Sequence, residues 1–84
     1  MKTAKIELDV MGKRVEEALK EVDRFVAEGR LAGLRRLRVL HGKGTGALRE
    51  AVRSHLRNFP FVQGLGDASV EEGGAGWTII ELGE

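Results

Sequence analysis

Leu37-Arg38-Val39-Leu40 reads as a strand, and it runs straight into His41-Gly42-Lys43-Gly44-Thr45-Gly46, after which an amphipathic helical pattern begins. Strand, glycine-rich turn and helix form the layout in which a main chain approaches an anion. Glycines at alternate positions present no Cβ, and the start of the helix directs free N–H groups and the positive end of its dipole outward. His41 has the ordinary pKa that suits proton transfer near neutrality, and Lys43 would screen phosphate charge. The spacing is neither that of a nucleotide P-loop nor the Gly-x-Gly-x-x-Gly of dinucleotide folds. The same run also suits a plain left-handed turn between strand and helix.

Upstream, Lys5-Ile6-Glu7-Leu8-Asp9-Val10 alternates polar and apolar residues. Ile6, Leu8 and Val10 are expected on one buried face of a strand, with Asp9 on the other near its C-terminal end. After Gly12, the residues Val15, Ala18, Leu19, Val22, Phe25 and Val26 follow at helical spacing, and Glu16 and Glu17 suit a first turn. This helix is expected to run to about Glu28, with Gly29 as the residue just past its end. Strand, helix and strand imply a parallel βαβ unit whose strands finish on one sheet edge, so Asp9, His41 and the glycine loop would open onto one crevice.

Thr45 is the expected N-cap of the second helix, with Leu48, Ala51, Val52, His55 and Leu56 facing inward and Arg49, Arg53 and Arg57 forming an outward stripe. Pro60 should end that helix near Asn58. Phe61 to Ser69 and Trp77 to Leu82 are the last strand candidates. They would be joined through Glu72 to Gly76 as an antiparallel hairpin, the first interrupted by Gly64 and Gly66 and so bulged or at an edge. His55 reads as a packed or capping histidine, and Trp77 as core or rim with base stacking as the alternative.

Charge is distributed unevenly along the 84 residues. The net value is +1, yet residues 30 to 58 carry eight basic side chains against Glu50 alone, while residues 59 to 84 carry five acids and no base. A basic segment centred on the glycine loop is the pattern of a polyanion-binding face; solvated surface arginines are the plainer alternative. The chain has no cysteine, which removes disulfides and thiolate metal sites. No apolar run nears the roughly 18 residues that span a bilayer, so a single cytoplasmic domain over residues 1 to 84 is expected.

Two stretches carry a family resemblance: Leu8-Asp9-Val10-Met11-Gly12 followed by Val15-Glu16-Glu17-Ala18-Leu19, and Leu40-His41-Gly42-Lys43-Gly44-Thr45-Gly46-Ala47-Leu48-Arg49. Together with the glycine-led ending Gly76-Trp77-Thr78-Ile79-Ile80-Glu81-Leu82, they make the chain resemble the Smr (small MutS-related) domain. The wording looks most like the version at the C-terminus of bacterial MutS-like proteins of the second type, which implies a domain cut from a longer chain with a MutS-type ATPase portion. The resemblance implies an α/β (α+β) two-layer sandwich, β-α-β-α-β-β, with a mixed four-stranded sheet and two helices. It is similar to the C-terminal domain of translation initiation factor three and to part of the DNase I fold. It further implies nucleic-acid binding, endonuclease activity on DNA or RNA in many members, and parent proteins that suppress homologous recombination or act on collided ribosomes. Met11 stands where the family's first motif usually has a histidine.

The first functional expectation is therefore an endonuclease domain without strong sequence preference. His41 would activate water or protonate the leaving oxygen, and Asp9 would orient His41 or hold a divalent cation, Mg²⁺ or Mn²⁺. Gly42, Lys43, Gly44, Thr45 and Gly46 would stabilise phosphoryl charge, and Arg36, Arg38, Arg49, Arg53 and Arg57 would hold the backbone. The second is a non-catalytic module that docks DNA or ribosomal RNA for the ATPase portion. The third is a protein-interaction domain whose arginines meet an acidic partner. The isolated domain is expected to be monomeric.

Overall fold

The computed structural model describes residues 4–83, so the two ends of the expected 1 to 84 span lie outside the described residues. Its elements run β1 (Glu7–Asp9), α1 (Val15–Leu31), β2 (Arg36–Leu40), α2 (Ala47–Leu56), β3 (Val62–Asp67), two single-turn 3₁₀ segments at Val70–Glu72 and Gly74–Gly76, and β4 (Trp77–Leu82). The four strands form one mixed sheet in the order β1-β2-β4-β3. β1 and β2 are parallel, as the intervening helix requires, whereas β4 runs antiparallel to both β2 and β3. This is the expected α+β sandwich.

Alternation along the strands assigns the two faces. Leu37, Val39, Ile80 and Leu82 turn toward the helices and meet Val22, Phe25, Val26, Val52 and Leu56 in the core. Glu7, Arg36, Arg38, Trp77 and Glu81 occupy the other face. β3 is an edge strand with a register shift between Val62 and Gly64, in keeping with its glycines.

Three local expectations need correction. Alternation places Ile6 on the buried face with Leu8 and Val10, but it precedes the paired segment of an edge strand and is 56 % exposed. Gly29 does not end α1. It is buried inside the helix, where a Cβ would stand 2.9 Å from Leu37 Cδ1, so its bareness lets α1 sit close on β2. The turn out of α1 is made by Gly33 (φ +77°), with Gly33 N donating to Arg30 O and Leu34 N to Gly29 O, the paired bonds of a Schellman closure. Thr45 does not take the N-cap position either. Gly46 does (φ +83°), and Thr45 Oγ1 accepts from Ala47 N at 3.3 Å.

Candidate functional site

β2 delivers His41 to the sheet edge where β1 also finishes, and Val10 N donates to Leu40 O at 2.9 Å to close the two strand ends together. The loop is tied down from the other side, because the His41 and Gly42 amides both donate to Gly76 O at 3.0 Å, just ahead of β4. Gly42 adopts φ +86°, a conformation that a side chain would strain, and a Cβ there would lie 3.1 Å from Met11 Sδ. The Met11 side chain thus packs beside the loop.

Asp9 and His41 share that edge but not a crevice. Asp9 pairs with Leu40 on the face away from the helices, and its Oδ1 accepts from Met11 N at 2.8 Å. His41 continues the alternation of Leu37 and Val39 and turns into the helix side, where it is 5 % exposed. The expectation that Asp9 orients His41 is corrected accordingly: their carboxylate and imidazole engage different partners on opposite faces.

The imidazole is hydrogen-bonded through both ring nitrogens. Nδ1 lies 2.9 Å from Gly42 O, an atom that can only accept, so the proton sits on Nδ1; Nε2 then accepts from the Thr78 hydroxyl at 2.8 Å. Thr78, fully buried, in turn accepts from Arg53 Nε at 2.8 Å, and Arg53 Nη2 donates to Asp67 Oδ1 at 2.6 Å. Burial pushes the His41 pKa down; the Gly42 bond opposes this, and the Arg53 and Arg49 cations add to it. The Arg53 contact holds the Asp67 carboxyl below its usual range. A general base needs a ring nitrogen free to face a substrate, and in this arrangement neither nitrogen of His41 is free.

The predicted phosphate-binding residues separate into two groups. Arg53 is not part of an outward stripe, because the Thr78 and Asp67 bonds draw its guanidinium down onto the ends of β3 and β4. Arg36 meets Glu81 at 3.6 Å on the open sheet face. Arg38 lies over the Trp77 ring at 4.1 Å, donates to Glu72 O at 2.7 Å and reaches Glu7 at 3.4 Å. Trp77 carries Arg38 over one ring face and has the turn at Gly73 against the edge of its five-membered ring, which makes it a rim residue. Lys43, Arg49 and Arg57, by contrast, form no salt bridge among the described residues. Lys43 is exposed in the loop, Arg57 is exposed past the end of α2, and Arg49 Nη2 lies 3.4 Å from the place a Gly46 Cβ would take. Arg49 Nε is buried and has no hydrogen-bond partner. His55 is a packed residue as expected, joining α2 to α1 through Asp23 at 2.6 Å and standing edge-on to Phe59.

Sequence reasoning does not single out Thr78 or Asp67. For Thr78 a signal exists: in β4 it alternates with Ile80 and Leu82, so it has to be buried, and a buried hydroxyl needs a partner. Asp67 carries no comparable local signal. Among the described residues, no group of three or more His, Asp or Glu side chains is placed to hold a metal ion. Mg²⁺ is commonly held by one or two carboxylates together with waters and substrate phosphates, and Asp9 is an exposed carboxylate at this edge.

Residues 8–83 match the Smr domain family. The chain is 44 % identical over 78 residues to the endonuclease MutS2 of Shouchella clausii, an alignment covering 93 % of this chain and 10 % of that protein. The crystal structure of the Smr domain of Thermus thermophilus MutS2 superposes with a TM-score of 0.88 at 50 % identity, covering 93 % of this chain and 98 % of that one. YdaL, a stand-alone small MutS-related protein from Escherichia coli, superposes with a TM-score of 0.81 at 29 % identity, over 94 % of this chain and 65 % of that one. The chain spans about a tenth of the length of the curated relatives it matches.

Proposed function

The chain belongs to the Smr domain family, and on that premise we propose that it is the nucleic-acid-binding, phosphodiester-cleaving domain of a MutS-like protein. The observation that carries this reading is the convergence of cations without acidic partners on the glycine loop: Lys43 within it and Arg49 against its last glycine, at the start of α2. Helix-terminal amides and unpaired cations together suit the sugar–phosphate backbone, whose contacts position a protein without reading bases. DNA and RNA are therefore both substrates in this reading. Within a parent chain carrying an ATPase portion, the grip would serve suppression of homologous recombination or action on collided ribosomes.

For cleavage, Asp9 takes the role of base. Its carboxylate is exposed on the edge beside the loop, two residues from the Met11 side chain that packs on Gly42, whereas His41 acts from beneath through the loop's backbone. The reading of a binding module without chemistry is favoured by one observation, the full occupancy of both His41 nitrogens. Incubating the purified chain with supercoiled plasmid and with structured RNA, with and without Mg²⁺ or Mn²⁺, separates the two. Nicking is expected, and Asp9→Asn should reduce it about 100-fold, the scale of a lost positioned base, with affinity kept within a few-fold. Retained binding without nicking under any condition selects the module. No binding at moderate salt overturns both.

A further inference from the structure

We propose that Thr78 and Arg53 are positioning residues for the anion-binding loop, acting through His41 to fix the direction in which the Lys43 amide points. The inference rests on the nucleic-acid reading above and adds to it residues outside the loop. Four elements meet in one chain of bonds: Asp67 at the end of β3, Arg53 from α2, Thr78 from β4 and His41 at the end of β2. For a neutral imidazole, the form that burial favours, its polarity has a single solution. Arginine only donates and a backbone carbonyl only accepts, so the bonds run from Arg53 Nε–H to Thr78 Oγ1, from the Thr78 hydroxyl to His41 Nε2, and from His41 Nδ1–H to Gly42 O. The Gly42 carbonyl is thereby drawn inward. In a trans, planar peptide the C=O and the following N–H point in opposite directions, so the same bond turns the Lys43 N–H outward, toward the space that Lys43 and Arg49 flank. A protonated Nε2 would leave the buried Thr78 hydroxyl proton without that acceptor, so the chain of bonds also selects one tautomer of His41.

The test uses the 84-residue chain and a short duplex DNA at fixed salt, with Thr78→Val, Thr78→Ser and Arg49→Ala compared with the parent. In the parent and in Thr78→Ser, ¹⁵N spectra of the His41 ring should show Nδ1 protonated and Nε2 bare, whereas Thr78→Val should lose that single tautomer and shift the Lys43 amide signal. Duplex affinity should fall about tenfold in Thr78→Val, the scale of one lost hydrogen bond to a charged group, and return to within about twofold in Thr78→Ser. Arg49→Ala should lose affinity with the His41 ring signals unchanged. Wild-type affinity and an unmoved Lys43 amide in Thr78→Val would overturn the proposal. An Nε2-protonated His41 in the parent chain, a measurement that needs no variant to fold, overturns it too. If the parent binds no nucleic acid, the functional reading fails, and the ring and amide signals still decide the positioning role.

Discussion

Arg49 and Arg38 carry the same guanidinium, and both are half-buried, but they occupy opposite situations. Arg38, on the open sheet face, is enclosed by the Trp77 ring, the Glu72 carbonyl and the Glu7 carboxylate. Arg49, at the foot of the glycine loop, has no carboxylate among the described residues in salt-bridge range, whereas a buried Nε without a hydrogen-bond partner is common to both arginines. A charge already solvated by its own protein has less to gain from a phosphate than one left short of partners. The predicted phosphate-binding cations are thus two populations: Arg36, Arg38 and Arg53 are held by acids of the same chain, whereas Lys43, Arg49 and Arg57 have none among the described residues, and Lys43 and Arg49 stand together at the loop.

The strongest way to break that comparison is to reverse the charge of Lys43 and Arg49 together. Losing two charge-assisted contacts, each about 1.5–3 kcal/mol, should lower duplex affinity by at least about 100-fold in an anisotropy titration. Affinity unchanged by Lys43→Glu with Arg49→Glu would move the binding face elsewhere. The contrast between Arg53 and Arg57, both expected on one outward stripe, is sharpened by stability rather than binding. Arg53→Ala removes the donor to the buried Thr78 hydroxyl and should cost about 1–3 kcal/mol in urea unfolding. Arg57→Ala should stay within about 0.5 kcal/mol, as surface changes do. Equal losses would mean that Arg53 is no more structural than its neighbour.

Acid should weaken the loop end of the molecule selectively. His41 has a folded pKa lowered below its ordinary value near 6.5, so in the window beneath that value the unfolded chain binds more protons than the folded one, and stability falls as pH drops. Asp67 adds a loss at lower pH, because its depressed folded pKa gives stability that disappears as the carboxyl is protonated. Melting temperatures measured from about pH 8 to about pH 5 should decline less steeply in His41→Gln than in the parent. Parallel profiles would show that the imidazole is not held neutral by its surroundings.

What can be read from sequence follows the range of each interaction. The βαβ unit, the antiparallel last pair and the glycine loop at a strand end are legible because alternation and helical spacing are local patterns. Gly29 and Gly33 look alike in sequence; one is a contact with Leu37 and the other a helix exit, and only the packing of α1 on β2 tells them apart. Arg53 sits at the same helical spacing as Arg49 and Arg57, and nothing nearby shows that β3 and β4 will bring Asp67 and Thr78 beneath it. Asp9 and His41 stand at the expected edge, but adjacent positions along paired strands face opposite ways, and this separates a carboxylate and an imidazole that sequence order puts side by side.

The smallest expected effect concerns Arg36. It lies on the open face with its guanidinium 3.6 Å from Glu81, both side chains more than half exposed, and such pairs contribute little to stability. Arg36→Ala should therefore change unfolding free energy by less than about 0.5 kcal/mol and duplex affinity by less than about twofold. Salt dependence makes the measurement decisive. If Lys43, Arg49 and Arg57 supply the phosphate contacts, log K should fall with log salt at a slope of roughly −3, and Arg57→Ala should make it shallower by about 0.9. Arg36→Ala should leave the slope where it was. A slope reduced as much by Arg36→Ala as by Arg57→Ala would show that the open sheet face also meets the polyanion, and the division between the two arginine populations would be lost.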